Sequence, residues 1–141
     1  MRPHLEEAWR ALRMASHDVH AFHVLKRDLD SHPSVVGFHA QQAIEKSFKA
    51  VLYSRQIEFT RTHNLAELAS LLRQFDIEPP VSDSKLLRLN PFAVAFRYDD
   101  MDTEFINPEE ATDWVALIRE WAEECVRLAS EVDTEFDPDR S

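Results

Sequence analysis

Apolar residues along most of the chain recur three and four positions apart, which is the period of an amphipathic helix. The first such segment carries Leu5, Trp9, Leu12, Val19 and Phe22. Their spacing predicts a helix from Leu5 to about Arg27. After the break at Asp30-Ser31-His32, Pro33 occupies a first-turn position where its missing N–H is harmless, so a second helix is predicted from Pro33 to about Arg55.

Capping residues and prolines divide the next part of the chain into shorter helices. Asn64 stands three residues before Glu67, as in a capping box, and predicts a short helix from Leu65 to about Phe75. The run Ser82-Asp83-Ser84 offers caps for a fourth helix, which Pro91 must kink or restart because proline lacks the backbone donor.

The last helix has the clearest pattern. Asn107 provides a cap and Pro108 the first helical position. The apolar line that follows consists of Ala111, Val115, Ile118, Ala122, Cys125, Ala129 and Val132. It predicts a helix to about Val132 and leaves residues 133–141 as a frayed acidic tail.

These elements predict an all-α fold, an antiparallel up-and-down bundle of four main helices plus a short helix. A chain of 141 residues is the size of one domain, so we expect a single domain over residues 1–141 with its core at about residues 5–132. The chain contains one glycine, and tight hairpin turns need residues that tolerate positive φ. Glycine scarcity therefore argues against a β-rich fold.

The single cysteine, Cys125, excludes an intramolecular disulfide and a CxxC site. Its place on the apolar line of the last helix indicates packing and not nucleophilic chemistry. The amino-terminal run MRPHLEEAWR is charged, and no segment approaches the ~18 apolar residues needed to span a bilayer. We therefore expect a cytoplasmic protein without a membrane segment.

Charge is unevenly distributed along the chain, whose formal net charge is −10. Residues 1–63 hold nine Lys and Arg against seven Asp and Glu, and all seven histidines; residues 64–141 hold seven against nineteen. An acidic total disfavours non-specific wrapping of nucleic acid, because affinity for phosphates is mostly electrostatic. A local basic groove in the first part remains compatible with this composition.

The most informative segment is FHAQQAIEKSFKA at residues 38–50, where polar residues interrupt an apolar helix. Small side chains at Ala40, Ala43 and Ser47 share one line and allow a neighbouring helix to approach closely. A polar stripe lies beside that line, within an arc of roughly 80°. It consists of His39, Gln42, Lys46, Lys49 and Tyr53.

This polar stripe has two interpretations. It is either a solvated face whose long side chains cover apolar neighbours, or a site for phosphate or the edge of a nucleotide base. Ammonium groups bind phosphate as point charges, and glutamine amides offer both donors and acceptors. The pattern by itself is compatible with both.

Several motifs together carry a family resemblance. They are FHAQQAIEKSFKAVLYSRQI at residues 38–57, Thr62-His63-Asn64-Leu65, and Ala95-Phe96-Arg97-Tyr98-Asp99. At this spacing they closely resemble the prokaryotic HEPN domain family, over about residues 5–132. The resemblance implies a helical up-and-down bundle that is frequently a homodimer, often encoded beside a minimal nucleotidyltransferase, with proposed roles in nucleotide binding or RNA cleavage.

The resemblance also implies site residues. It places His39, Gln42, Glu45, Lys46 and Lys49 on the signature helix, and it makes His63 and Arg97 candidates for a site. Ribonuclease members of the wider superfamily carry an arginine and, after four to six intervening residues, a histidine near the last main helix, and no histidine follows Arg97 in this chain. The natural general acid or base is thus missing there, which weakens the prediction of a ribonuclease.

The same arginine–histidine spacing occurs by chance in the first part of the chain. The formal matches are Arg10 to His17, Arg13 to His20 and Arg27 to His32. They lie on the first helix or the loop after it, outside the context that a motif needs to indicate a role. We therefore expect none of them to be catalytic.

Two other groups of residues are candidate metal ligands. His17, His20 and His23 repeat every three residues, but successive members shift by about 60° around a helix, so all three cannot converge on one ion. The carboxylates of Asp99, Asp100, Asp102 and Glu104 form an acidic loop without the central glycine of a calcium loop. We expect no metal and no cofactor.

Taken together, the sequence favours a homodimeric module that binds nucleotide or RNA phosphate beside a nucleotidyltransferase partner, in a toxin–antitoxin-like system. Its ligand-binding residues would be His39, Gln42, Lys46, Lys49, His63 and Arg97. One alternative is a metal-independent endoribonuclease toxin with a rearranged pair, for which His63 and Arg97 are the candidates. The other alternative is a structural domain whose polar stripe makes a dimer contact.

Overall fold

The computed structural model describes residues 1–93 and 107–135, the last two as backbone only. In this part of the chain every regular element is helical and there is no strand. The elements are α1 (Pro3–Arg27), α2 (Pro33–Ser54), α3 (Leu65–Gln74), α4 (Asp83–Leu89), a 3-10 turn (Asn90–Ala93) and α5 (Pro108–Glu135). The predicted all-α fold class is confirmed.

The helices differ in length more than the sequence suggested. α1, α2 and α5 have 25, 22 and 28 residues, whereas α3 has 10 and α4 has 7. The domain is thus built on three long helices and two short ones. Pro91 falls in the 3-10 turn that directly follows α4, which confirms the predicted break. α5 continues to Glu135, three residues past its predicted end, and residues 136–141 of the acidic tail lie outside the described residues.

The predicted Asn64 cap of α3 and the predicted start of α2 at Pro33 are confirmed, whereas the Ser82 side chain makes no capping hydrogen bond at α4. At α2, Pro33 is the first residue and Nδ1 of His32 accepts the backbone N–H of Ser34 at 3.1 Å. At α3, Oδ1 of Asn64 accepts the backbone N–H groups of Ala66 and Glu67 at 3.0 and 3.2 Å. These bonds satisfy N–H groups that have no partner inside a helix, and they fix the segment before α3.

α2 lies at the centre of the domain. It packs against α1, α3, α4, the 3-10 turn and α5, and more than half of its residues are buried. The line of small residues predicted on this helix is buried along its length, at Ala40, Ala43, Ser47 and Ala50. This confirms that small side chains permit close packing there.

α1 also packs against α5, and three pairs of side chains are hydrogen-bonded between the two helices. The Trp9 indole donates to Ser130 at 3.2 Å, the Arg119 guanidinium donates to Ser16 at 3.0 Å, and the Lys26 ammonium donates to Thr112 at 2.8 Å. Residue numbers rise along α1 as they fall along α5, so the two helices run in opposite directions.

The only glycine, Gly37, lies inside α2, where glycine is normally unfavourable. A Cβ atom at this position would overlap the ring of Phe92, which is itself buried. The absence of a side chain therefore lets the 3-10 turn pack directly on α2.

Candidate functional site

Asp18 of α1 holds two of the predicted site residues. Its side chain is only 10% exposed. Oδ1 lies 3.0 Å from Nδ1 of His39, and Oδ2 accepts a hydrogen bond from the Lys46 ammonium at 2.5 Å. His39 and Lys46 are seven residues apart on α2, which places them on the same side of that helix two turns apart. We call Asp18, His39 and Lys46 the Asp18 cluster.

Glu45 of α2 holds two further predicted residues in the same manner. Its carboxylate side chain is 4% exposed. Oε1 lies 2.8 Å from Nδ1 of His63, and Oε2 accepts a hydrogen bond from the Lys49 ammonium at 3.1 Å. His63 comes from the segment before α3 and keeps 57% of its side chain exposed. We call Glu45, Lys49 and His63 the Glu45 cluster.

Gln41 ties the second cluster to the backbone. It is completely buried, and its amide nitrogen donates to Oε1 of Glu45 at 3.1 Å and to the carbonyl of His63 at 3.0 Å. Its amide oxygen accepts a hydrogen bond from Gln42 at 2.7 Å. The position of His63 is therefore set from both its ring and its backbone, by two neighbouring residues of α2.

The structure thus distributes the predicted site residues over two clusters along α2. His39 and Lys46 belong to the first cluster; Lys49 and His63 belong to the second, to which Gln42 is linked through Gln41. We call the surface formed by the two clusters and Gln42 the α2 polar face. Arg97, with the rest of the motif at residues 95–99, lies outside the described residues.

The lysines of the α2 polar face are not freely solvated side chains. Lys46 is 27% exposed and Lys49 is 17% exposed, and each is paired with a buried carboxylate. These two lysines are thus less exposed than a simple solvated face would make them, and both are paired within the fold. In the described part of the chain no buried side-chain nitrogen or oxygen lacks a hydrogen-bond partner, so the buried polar atoms beneath the face are all paired.

Two residues of the site were missed by the sequence patterns, namely Asp18 and Gln41. Asp18 stands three residues after Ala15 and four before Phe22, both of which are buried. A carboxylate at that position of the apolar line of α1 must find a partner inside the fold, because an unpaired buried charge is strongly unfavourable. The sequence therefore indicated that Asp18 would need a partner, but it did not indicate which residues would be that partner.

The remaining titratable groups offer little chemistry. Burial lowers the pKa of His23, and the cations Lys26 and Arg27 lower it further, so this imidazole stays neutral to lower pH than usual. Burial raises the pKa of the Cys125 thiol, which favours the unreactive form and agrees with a packing role. Arg10, part of one chance arginine–histidine match, forms an ion pair with Glu7 at 2.8 Å.

The described residues contain neither a cluster suited to a metal ion nor a helix suited to a membrane span. Among residues 1–93 and 107–133, no three or more histidine, cysteine or acidic side chains are grouped so that they could hold a metal ion. The acidic positions Asp99, Asp100, Asp102 and Glu104 lie outside those residues. None of the helices described is both long enough and apolar enough to cross a bilayer.

Comparison with known proteins gives one result for this chain. No curated protein and no solved structure matches it significantly. The family model of the HEPN domain matches residues 4–133, which covers all five helices nearly to the end of α5. Since that match extends over almost the whole sequence, the chain belongs to the HEPN domain family.

Proposed function

We propose that the chain binds the phosphate of a nucleotide or of RNA at the α2 polar face. The observation that carries this proposal is that two buried carboxylates, Asp18 and Glu45, each hold one lysine ammonium and one histidine ring at this surface. Side chains held in place by buried partners lose little conformational entropy when a ligand arrives. Arg97 remains a predicted second source of positive charge.

Unused donors on the lysines support phosphate binding. An ammonium group has three N–H donors. Among the described residues, Lys46 donates one hydrogen bond to Asp18 and Lys49 donates one to Glu45. The other donors of each group are left for phosphate oxygens. The imidazoles of His39 and His63 add further polar contacts on the same surface.

The charge balance of the face sets the kind of binding to expect. With both imidazoles neutral, two ammonium groups and two carboxylates cancel. A phosphate is then held by short hydrogen bonds more than by long-range attraction, which suits a site that recognises a local phosphate group in an acidic protein.

Calorimetric titration with ATP, GTP and a short RNA tests this function. We expect heat of binding for at least one of these ligands, and a loss of about 1.5–3 kcal/mol of binding free energy when Lys46→Ala removes a charged donor. The matched control is Lys85→Ala, an exposed lysine on α4 whose ammonium lies 6.0 Å from the Trp114 ring. No heat with any of the three ligands, or equal losses for the two variants, would disprove the site.

The second candidate is a metal-independent endoribonuclease toxin, and the geometry of His63 supports it. An ionised carboxylate can only accept, so the bond to Glu45 is donated by Nδ1–H, and Nε2 is left as the proton acceptor. A half-exposed imidazole oriented by a buried carboxylate is the arrangement of a general base. It could remove the proton of a ribose 2′-hydroxyl, which then attacks the adjacent phosphate and releases the 5′-oxygen to take a proton from water.

Incubation with total RNA separates the two functions. Cleavage that is lost with His63→Gln and kept with His20→Gln, an exposed histidine of α1, would establish the nuclease. Intact RNA at high protein concentration would leave binding as the function of the face. Arg97→Ala belongs in the same series, because the predicted pair includes that residue.

Partners and quaternary structure are part of the proposal. We propose a cytoplasmic homodimer with the up-and-down helix order of its family, acting beside a nucleotidyltransferase in a toxin–antitoxin-like system. Apolar side chains on α5 that are about half exposed, such as Leu117 and Leu128, support a further protein contact. Sedimentation of the Leu117→Glu variant tests whether α5 forms the dimer contact. The control is Leu87→Glu, at an equally exposed leucine of α4. An unchanged monomer–dimer balance in Leu117→Glu would reject α5 as the dimer face.

The structural alternative predicts a different pattern. If the polar stripe served only as a dimer contact, Gln42→Ala or Lys49→Glu would shift the monomer–dimer balance without affecting any ligand. The same sedimentation series, extended by these two variants, distinguishes that role from ligand binding.

A further inference from the structure

An open cavity adjoins the α2 polar face at the carboxyl end of α2. It has a volume of about 600 Å³. The residues that line it are His4, Tyr53, Gln56, Ile57, Glu58 and Phe59. The cavity thus combines two aromatic rings with amide and imidazole groups at one solvent-accessible place.

The aromatic pair of the cavity is held in a defined geometry. The ring centroids of Tyr53 and Phe59 lie 5.3 Å apart at an interplanar angle of 64°. Both rings are half-buried against the hydrophobic core, so they are anchored yet not completely covered. Anchored rings with an accessible surface suit stacking of a planar ligand, because little rotamer freedom remains to be lost.

The backbone after α2 explains why Phe59 lies there. Gln56 adopts a left-handed conformation with φ of 55°, and the N–H of Ile57 donates to the Leu52 carbonyl at 3.0 Å. The chain turns back on the end of the helix, and the buried side chain of Ile57 fixes the turn. The cavity is therefore formed before any ligand binds.

Phe59 connects the cavity with the Glu45 cluster. The Lys49 ammonium lies 5.9 Å from the centroid of the Phe59 ring, in the range of a cation–π contact, while it also donates to Glu45. A group stacked in the cavity would therefore have Lys49 beside it, with His63 on the other oxygen of the same carboxylate.

The chemistry of the cavity decides which part of a nucleotide fits it. The exposed carboxylate of Glu58 at the cavity repels phosphate, whereas the Gln56 amide and the His4 imidazole can bond the polar edge of a base. The aromatic surface favours the flat base, and the ammonium of Lys49 favours the phosphate. Base and phosphate are thus assigned to adjacent places.

We propose that this cavity is a stacking subsite for an unpaired base of single-stranded RNA whose phosphate lies at Lys49 and His63. The inference rests on the proposed function of the α2 polar face and specifies its ligand as single-stranded. A base inside a duplex is stacked and paired, so it cannot enter the cavity.

The test compares a short single-stranded oligoadenylate with the duplex it forms with oligouridylate and with inorganic polyphosphate. Phe59→Leu keeps an apolar side chain and removes the stacking surface. We expect it to weaken binding of the single strand by about 5- to 150-fold and to leave binding of the duplex and of polyphosphate unaffected, since stacking contributes roughly 1–3 kcal/mol per base. The matched control is Phe75→Leu, a phenylalanine that is 47% exposed at the end of α3.

A second measurement does not depend on folding of the variant. The wild-type chain is titrated with oligoadenylates in which single nucleotides are replaced by abasic ones, and we expect weaker binding for at least one position. Equal affinity of all abasic and intact strands, or of Phe59→Leu and wild type, overturns the subsite.

The outcomes separate this inference from the proposed function. If Lys49→Ala weakens every probe while Phe59→Leu and the abasic strands change nothing, phosphate binding stands and the subsite is disproved. If wild type binds none of the probes, both are disproved.

Discussion

Nδ1 of His63 lies 2.8 Å from Oε1 of Glu45, although one residue is largely exposed and the other is buried in α2. The carboxylate fixes which ring nitrogen carries the proton and in which direction the other nitrogen can act. Its second oxygen accepts a hydrogen bond from the Lys49 ammonium, whose positive charge it balances. One buried residue thereby sets the tautomer of His63 and holds both the His63 ring and the Lys49 ammonium in position.

Replacing Glu45 by glutamine should break one of its two contacts with His63 and Lys49. The carboxylate accepts hydrogen bonds from both His63 and Lys49. The glutamine amide has one oxygen and one NH2 group, so at one of these two contacts its NH2 group faces another hydrogen-bond donor. We expect Glu45→Gln to lower the free energy of unfolding by about 1.5–3 kcal/mol. Urea unfolding measures it, and NMR of the imidazole should show the Nδ1–H tautomer of His63 losing its preference.

The control for that substitution is Glu123→Gln. Glu123 is 55% exposed and lies 3.8 Å from Arg119, so we expect a change within about 1 kcal/mol. Similar losses in the two variants would contradict the structural role given to Glu45.

The ion pair between Asp18 and Lys46 should be energetically coupled more strongly than pairs at the surface. A double-mutant cycle with Asp18→Ala and Lys46→Ala should give a coupling of about 1.5–3 kcal/mol, because the carboxylate is buried and the bond is short. The reference cycle uses Arg73 and Asp83, which lie 2.8 Å apart and are more exposed, and should give about 0.2–1 kcal/mol. Equal coupling energies would show that burial of Asp18 is unimportant.

Alanine at Gly37 should destabilise the protein, although alanine is the better helix former. The new Cβ overlaps the Phe92 ring, and forcing extra volume into a packed contact typically costs about 1–3 kcal/mol. Thermal unfolding of Gly37→Ala measures the loss. The double variant Gly37→Ala with Phe92→Leu should recover part of the stability; if Gly37→Ala alone is as stable as wild type, the close packing of α2 on the 3-10 turn is refuted.

Stability should decrease as the pH falls below 6.5, in part because of His23. Its pKa is lowered in the folded state from 6.5, by burial first and then by Lys26 and Arg27. The unfolded chain therefore binds the proton more readily than the folded chain. The contribution of neutral His23 to the free energy of unfolding is complete above pH 6.5 and is lost as the pH falls towards the pKa of the folded state. Urea unfolding across this range should show a smaller pH dependence for His23→Gln.

A second variant tests the cause assigned to that shift. Arg27→Gln removes one of the cations and should raise the pKa of His23 by NMR titration, with a partial loss of the pH dependence. Identical pH profiles for wild type and both variants would mean that His23 does not contribute.

Local signals predicted most of the elements because they depend on neighbouring residues. The structure reproduces the cap at Asn64, the start of α2 at Pro33, the proline break after α4 and the apolar period of α5. The helix lengths were less predictable: α5 continues past Val132, where Asp133 forms an ion pair with Arg2 at 3.1 Å, a contact that no apolar period indicates. The candidate residues of α2 were also visible, because helical geometry places them on one side whatever surrounds them.

By itself the sequence determined the helical class, the family motifs and the polar stripe of α2. Only the tertiary structure decided what the stripe contacts: Asp18 approaches His39 and Lys46 because α1 packs on α2, and His63 reaches Glu45 because the segment before α3 folds back on α2. These contacts join residues 18 or more positions apart, and no local periodicity encodes such a distance. Whether a lysine is solvated or paired depends on which carboxylate the fold buries beside it.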